Sequence, residues 1–223
     1  MAANDGTSLP ESGLLLIGMG PGRNSAMTVE AKNAAKAADF RRYEAYTALW
    51  PEEDLIALEK DIGRIEKVMR PEVENPVELF KLAKNNLVAL LIVGDPLQAT
   101  THVDLQLQAL ESGIECLVYH GVSITTLVTG GVGLSNYKFG RQTTITYPYE
   151  GWVATSPLEI IAINMYQSQH TLALLDLDPT GAGTGKQIPM QPKDALKSLI
   201  LMCEKLSSNG FSNILNVAEK KNG

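Results

Sequence analysis

Residues 87–102, LVALLIVGDPLQATTH, decide the fold of this 223-residue chain. Seven apolar residues run into a Gly-Asp-Pro turn, and a Thr-Thr-His segment then opens a helix. A continuous apolar run of this kind is typical of a strand that is buried on both faces of a parallel sheet. Ligands of open α/β sheets bind beyond the carboxyl ends of the strands, so Asp95 is a candidate ligand-binding residue. An aspartate in such a turn can equally accept a hydrogen bond from its own backbone, and the residues leave both roles open.

Strand and helix patterns alternate along the chain, which predicts an α/β fold with much parallel pairing. The first strand is predicted at LLLIG, residues 14–18, before a glycine-rich loop. Apolar residues at helical spacing predict one helix over residues 54–69. The helix that follows the Gly-Asp-Pro turn is predicted to bury a face made of Val103, Leu107 and Leu110.

Glycines cluster in residues 121–140, which indicates a long, folded-back connection and a domain boundary. The 223 residues are 44% hydrophobic, which is enough for two small domains with real cores. We therefore expect a flexible N-terminal extension over residues 1–13, an N-terminal α/β domain over 14–120 and a C-terminal α/β domain over 121–223.

The composition restricts the class of function. A formal net charge of −6 argues against a surface built for non-specific binding to nucleic acid. Cys116 and Cys203 are too few for a disulfide framework and lack the spacing of metal ligands. No apolar run approaches the ~18 residues of a membrane span, and the polar N-terminus lacks the regions of a signal peptide. We expect a cytoplasmic protein that binds a specific ligand, rather than nucleic acid or a membrane.

Two glycine-rich loops resemble phosphate-binding motifs, but neither has the required spacing. The loop GMGPG, residues 18–22, would need a third glycine at the position of Arg23, and a tight turn without ligand is the simpler interpretation. The loop GAGTGK, residues 181–186, has Thr180 where a phosphate-binding loop has its first glycine. We interpret it as a mobile surface loop.

The three histidines, His102, His120 and His170, show no metal-ligand spacing, and we expect no metal site. His102 closes the segment that follows the Gly-Asp-Pro turn, where it can bond a ligand or orient the loop. Both roles stay open. His170 directly precedes a predicted strand, and we interpret it as structural.

Several motifs, in the order and spacing in which they occur, resemble the diphthine synthase family. They include the glycine loop after the first strand and the motifs AYT (45–47), GDPLQATTH (94–102), Ser123-Ile124, YKFG (137–140) and HTLALLDLD (170–178). The family consists of tetrapyrrole-methylase-like methyltransferases, which lack the Rossmann-type methyltransferase fold. The resemblance implies two α/β domains with the cofactor in a cleft between them, usually in a homodimer.

The resemblance also implies a cofactor and a reaction. The cofactor is S-adenosyl-L-methionine, and the protein substrate is translation elongation factor 2. The amino group of a modified histidine on that factor is methylated during diphthamide biosynthesis. No catalytic side chain is implied, because the cofactor brings the activated methyl group and the protein supplies orientation. Carried over position by position, the cofactor-binding residues are Pro21, Asp95, Gln98, Ser123, Ile124 and Leu175.

Members of the family continue beyond the position that corresponds to the last residue of this chain. The C-terminal domain is therefore expected to be shortened. Two alternatives stay open on that ground: a related methylase that acts on another substrate, and a shortened, non-catalytic relative that binds the cofactor or a protein partner.

Overall fold

The structure, a computed structural model, describes residues 9–149, 151–178 and 187–208. The chain divides into two compact units, residues 1–127 and 128–223. The boundary predicted after residue 120 stays a prediction. The described part of the chain contains no helix that is long and apolar enough to cross a membrane.

A five-stranded parallel sheet forms the centre of the first unit, as far as its residues are described. The strand order is β3-β2-β4-β1-β5, and the strands are β1 (Gly13–Gly18), β2 (Phe40–Glu44), β3 (Glu66–Val68), β4 (Leu87–Ile92) and β5 (Cys116–Tyr119). The central strands β1 and β4 are buried along their whole length. Leu16 of β1 lies opposite Leu90 of β4 and opposite Val118 of β5. The predicted α/β fold with parallel pairing is confirmed.

Each face of this sheet carries its own hydrophobic core. Alternate residues of a strand point to opposite faces. Leu15 of β1 and Leu91 of β4 therefore pack with helices α1 (Val29–Ala37) and α2 (Glu52–Ile62). Leu16 of β1 packs on the other face with helices α3 (Arg70–Glu74), α4 (Val77–Ala83) and α5 (His102–Glu111). A strand that is covered on both sides needs apolar residues at every position, which explains why residues 87–92 are all apolar.

In the described part of the chain, helices lie between successive strands, and one further helix follows the last strand. They are α1 (Val29–Ala37), α2 (Glu52–Ile62), α3 (Arg70–Glu74), α4 (Val77–Ala83), α5 (His102–Glu111), α6 (Ile124–Gly131), α7 (Ser156–Tyr166) and α8 (Pro192–Ser208), with short 3-10 turns at Asn24–Ala26 and Asn136–Lys138. Helix α6 forms inside residues 121–140, where the glycines predict an irregular connection.

The second unit contains a parallel pair of short strands, β6 (Thr143–Ile145) and β7 (Ala173–Leu175). Ile145 joins Met190 and Met202 in its hydrophobic core, where helices α7 and α8 contribute further side chains. Helix α7 begins at Ser156, directly before Pro157. Proline is favoured in a first helical turn because its missing N–H would have no partner there.

The helix predicted over 54–69 is too long. Helix α2 ends at Ile62, because Gly63 adopts a left-handed φ of 100° that terminates the helix. The residues that follow form β3, which pairs with β2 at the edge of the sheet. The apolar residues after Gly63 therefore belong to a strand and a loop.

The buried face predicted for α5 is also wrong. Val103, Leu107 and Leu110 are exposed, and the helix buries His102, Leu105 and Ala109 instead. His102, the first residue of α5, is 1% exposed, and its burial sets the rotation of the helix about its axis. The more apolar face of α5 consequently points away from the core of its own unit.

Two predictions concern residues outside the described ranges. Residues 1–8 of the expected flexible extension and the loop GAGTGK at 181–186 lie there. Residues 9–12, the remainder of that extension, precede β1 and contain no helix or strand.

Candidate functional site

The carboxylate of Asp95 joins two loops at the carboxyl edge of the sheet. Its Oδ1 atom accepts a hydrogen bond from the Leu97 N–H at 2.9 Å, which closes a turn within the segment after β4. Its Oδ2 atom lies 2.8 Å from His120 Nδ1 and accepts a bond from the Gly121 N–H at 3.2 Å. Asp95 is buried, and these contacts compensate for the lost hydration of its carboxylate.

Backbone contacts between glycines connect a third loop to the same point. Gly20, in the loop after β1, and Gly94 exchange two hydrogen bonds of 3.1 and 2.9 Å. Gly18, Gly94 and Gly121 approach one another so closely that a Cβ on Gly121 would lie 2.2 Å from the Gly94 carbonyl oxygen. Glycine is required at position 121 because any side chain would separate these loops.

The structure brings together the loops that carry five of the six predicted cofactor residues. Pro21 lies in the loop after β1, and Gln98 lies in the turn that Asp95 closes. Ser123 and Ile124 follow β5 and begin α6. The sixth residue, Leu175, lies on β7 in the second unit and is exposed. Whether these residues bind a cofactor stays a prediction.

Ser123 is buried and paired with a second hydroxyl. Thr125 Oγ1 lies 2.9 Å from Ser123 Oγ, and the Thr125 N–H donates to the same oxygen at 3.3 Å. Only one hydroxyl of the pair donates to the other, which leaves the second O–H able to donate to a bound group. The neighbouring Ile124 side chain is 48% exposed and offers an apolar surface beside this donor.

Two further polar residues escaped the prediction from sequence. His120 received no role, although it directly follows β5 and faces Asp95. Glu44, the last residue of β2, was not singled out at all. Both lie at carboxyl ends of strands in the same parallel sheet, and that placement is the signal that could have identified them.

Glu44 and His102 form a buried polar pair at this edge. Each is 1% exposed, and His102 Nε2 lies 3.9 Å from Glu44 Oε2. Glu44 Oε1 accepts bonds from the Thr47 N–H, at 2.9 Å, and from the Thr47 hydroxyl, while His102 Nδ1 contacts the Thr100 hydroxyl. His102 Nε2 has no hydrogen-bond partner among the described residues.

Burial favours the uncharged forms of both side chains in this pair. It raises the pKa of Glu44, although the two bonds from Thr47 oppose that shift. It lowers the pKa of His102 to about 4. His102 is therefore a neutral imidazole at physiological pH.

Comparison with known proteins identifies the family. Residues 13–186 match the tetrapyrrole (corrin/porphyrin) methylases, which is more than half of the chain. The chain belongs to the tetrapyrrole methylase family. The chain is 35% identical over 200 residues to the diphthine synthase of Methanothermobacter thermautotrophicus, covering 89% of this chain and 74% of the relative. The diphthine synthase of Methanospirillum hungatei is 34% identical over 166 residues, covering 74% and 66% respectively.

Solved structures agree with the assignment to the methylases. A crystal structure of diphthine synthase superposes with a TM-score of 0.74 and 31% identity, covering 86% of this chain and 72% of that chain. A conserved hypothetical protein from Aeropyrum pernix gives a TM-score of 0.78 and 30% identity, covering 90% and 68% respectively. The resemblance predicted from the motifs is confirmed. The chain spans about two thirds of the length of the curated relatives that it matches.

The substitution Gly121→Ala tests the glycine contact. The added Cβ would meet the Gly94 carbonyl oxygen, and we expect the free energy of unfolding to fall by at least about 2 kcal/mol. Urea denaturation measures the change. In the control Gly130→Ala, the new Cβ meets no described atom within 4 Å, and stability should stay constant or rise. Equal behaviour of the two variants would show that the three loops do not depend on this contact.

The burial of His102 predicts a pH dependence of stability. The folded pKa near 4 lies below the ordinary value of 6.5, so below pH 6.5 the unfolded chain binds a proton that the folded chain excludes. This stability is complete above pH 6.5 and is lost as the pH falls towards 4. Between about pH 7 and about pH 5, the wild type should lose about 2 kcal/mol more than His102→Asn.

Urea denaturation of both proteins at several pH values measures this difference. The raised pKa of Glu44 produces a slope of opposite sign, but that slope is common to the two proteins and cancels in the comparison. Identical pH profiles would mean that His102 takes up its proton as readily in the folded protein as in the unfolded chain.

Proposed function

We propose that this chain is an S-adenosyl-L-methionine-dependent methyltransferase of the diphthine synthase type. It methylates the amino group of the modified histidine on translation elongation factor 2 during diphthamide biosynthesis, in the cytoplasm. The observation that carries the proposal is the linkage of three loops at Gly94 and Asp95, which gathers the predicted cofactor residues of the first unit. The identity of 34–35% with curated diphthine synthases supports the substrate.

The residues of these loops fit the chemistry of the cofactor. An S-adenosyl compound offers ribose hydroxyls, an adenine ring and an amino acid end. Three of the about four acceptor positions of the Asp95 carboxylate are occupied by loop contacts, which leaves one for a hydroxyl or an ammonium group. The hydroxyl pair at Ser123 supplies a donor, and Ile124 supplies apolar contact area.

The bound cofactor would supply a methyl group already activated on a sulfonium. The side chains of this chain then need only bind and orient the reactants and exclude water. We assign the polar contacts to Asp95, Gln98 and Ser123, and the apolar contacts to Pro21, Ile124 and Leu175. The acceptor amine must be neutral to act as the nucleophile, and no side chain of this chain is assigned as its base.

Ile124→Glu tests the cofactor site without disturbing the Asp95 contacts. The exposed Ile124 side chain can be replaced without loss of the core, but a carboxylate buried against the ligand loses hydration. Calorimetry with S-adenosylhomocysteine should show binding to the wild type that weakens at least about tenfold in the variant. Val77→Glu, at an exposed position of α4, is the control and should bind as the wild type does.

Methyl transfer is measured in parallel from labelled S-adenosyl-L-methionine to elongation factor 2 that carries the 2-(3-carboxy-3-aminopropyl)histidine. Transfer supports the whole proposal. Absence of S-adenosylhomocysteine binding by the wild type would refute the cofactor assignment. Binding without transfer would favour the non-catalytic alternative, and transfer to a different acceptor would favour a related methylase with another substrate.

We also propose that the chain forms a homodimer through the exposed face of α5. Val103, Leu107 and Leu110 lie on one side of this helix and are 47%, 54% and 72% exposed. A contiguous aliphatic stripe on the surface favours association, and a two-fold dimer would bury the same stripe of both copies.

Leu107→Glu tests this interface. The wild type should sediment with twice the 24.1 kDa mass of one chain, and the variant should sediment as a monomer because two carboxylates would be buried in the interface. Ile56→Glu, on the exposed side of α2, is the matched control and should remain dimeric. A dimeric Leu107→Glu variant would exclude this face, and a monomeric wild type would exclude the dimer.

A further inference from the structure

A strained alanine lies in the segment between β4 and α5. Ala99 has a left-handed φ of 56°, although it has a Cβ. This conformation is disfavoured for an L-residue by a factor of roughly 5 to 30 at room temperature. Residues in such conformations persist only where the surrounding structure holds them, and they concentrate at functional sites. Contacts of the neighbouring residues must therefore hold Ala99 in this conformation.

The contacts on the N-terminal side come from Asp95. Its carboxylate accepts from the Leu97 N–H at 2.9 Å, and its carbonyl oxygen accepts from the Gln98 N–H at 3.2 Å. These bonds define the turn 95–98. They end directly before Ala99 and leave the conformation of Ala99 itself to the residues that follow.

The contacts on the C-terminal side come from His102. The Thr100 hydroxyl contacts His102 Nδ1, and the His102 side chain is 1% exposed at the start of α5. The buried imidazole thus fixes Thr100, the residue after the left-handed alanine. His102 lies in the first turn of a ten-residue helix that packs on the sheet, so the anchor point is rigid.

Glu44 lies next to the His102 side chain. Its carboxylate is immobilised by the backbone N–H and the hydroxyl of Thr47, and its second oxygen lies 3.9 Å from His102 Nε2. Two sequence motifs that are far apart in the chain, AYT at 45–47 and ATTH at 99–102, meet through this pair. Glu44 ends β2 and His102 follows β4, and these two strands are neighbours in the sheet.

We propose that His102 is a positioning residue that holds Ala99 in its left-handed conformation and thereby fixes the turn 95–98 for cofactor binding. The cofactor part of this inference rests on the function proposed above. His102 contacts neither the reacting atoms nor the cofactor in this role. It acts through Thr100 and Ala99.

The strain at Ala99 sets the size of the expected effect. Without its anchor, Ala99 relaxes towards ordinary conformations, and the fraction of molecules with the binding-competent turn falls to roughly one in ten. The apparent dissociation constant rises by the inverse of that fraction, hence about tenfold. Glycine at position 99 adopts the left-handed conformation without this cost in free energy. Loss of the His102 contact should then weaken binding only about twofold.

The experiment is a double-mutant cycle of His102→Leu and Ala99→Gly, with two readouts. Calorimetry with S-adenosylhomocysteine measures affinity, and hydrogen exchange in the unliganded protein measures protection of the Leu97 and Gln98 amides. We expect His102→Leu to weaken affinity about tenfold and to accelerate exchange of these amides, and Ala99→Gly to suppress most of both effects. His102→Asn, whose amide can still contact Thr100, should stay within about threefold of the wild type.

A merely structural His102 gives a different pattern. In that case His102→Leu lowers the thermal stability but leaves the affinity and the exchange of residues 97 and 98 unchanged below the transition, which would overturn the proposal. Equal effects of His102→Leu with alanine and with glycine at position 99 would overturn it too. If the wild type binds no S-adenosylhomocysteine, the proposed function fails, whereas the exchange data still decide whether His102 holds the turn.

Discussion

The Asp95 carboxylate is the contact on which the arrangement of the site depends. Three neighbouring strands, in the order β4-β1-β5, end side by side because the sheet is parallel, and each continues into a loop at the same edge. Asp95 closes its own turn and accepts bonds from His120 and Gly121. A buried carboxylate is costly unless it is paired, so the donors must remain in place as long as the chain is folded. The electrostatic requirement of one side chain thereby fixes the relative positions of two loops.

The glycines at this edge act through the space that they leave free. Gly18, Gly94 and Gly121 allow three backbone segments to approach more closely than any side chain would permit. In phosphate-binding loops, glycine lets the backbone approach a ligand, whereas here it lets one loop approach another. This difference explains why GMGPG lacks the spacing of a dinucleotide motif, although a Cβ on its Gly18 would meet the backbone of Gly121 and Gly94. The loop after β1 is held by its hydrogen bonds to Gly94.

Local sequence predicts the centre of this fold well and its edges less well. β1 and β4 are covered on both faces, so the apolar composition of residues 14–18 and 87–92 predicts that these strands are buried. The end of α2 was missed because the apolar spacing continues past Gly63, where a strand pairs with a distant partner. The buried face of α5 was missed because one buried histidine, held by Thr100 beside Glu44, overrides a more apolar stripe. Such contacts join residues far apart in the chain, and periodicity does not contain them.

The same distinction applies to the candidate site. Asp95 could be selected from sequence because it directly follows a recognisable buried strand, and Ser123 and Ile124 were found only through the resemblance to a family. His120 and Glu44 were not found, since His120 follows β5, Glu44 ends β2, and the neighbours of these two strands are known only from the folded sheet. The strand order shows which residues can share a site, because the ends of four neighbouring strands lie in one row, in the order β2, β4, β1 and β5.

The polar groups along that row differ in their environments. The Asp95 carboxylate lies among three hydrogen-bonding groups, whereas burial raises the pKa of Glu44 and lowers the pKa of His102 to about 4. The neutral imidazole of His102 offers hydrogen-bonding shape without a field that would attract water or ions into the interior. Where the reactive group is already activated on its cofactor, orientation of the reactants contributes more to the rate than an additional base does. A rigid turn, anchored at Asp95 and again at His102, is the kind of wall that such a reaction requires.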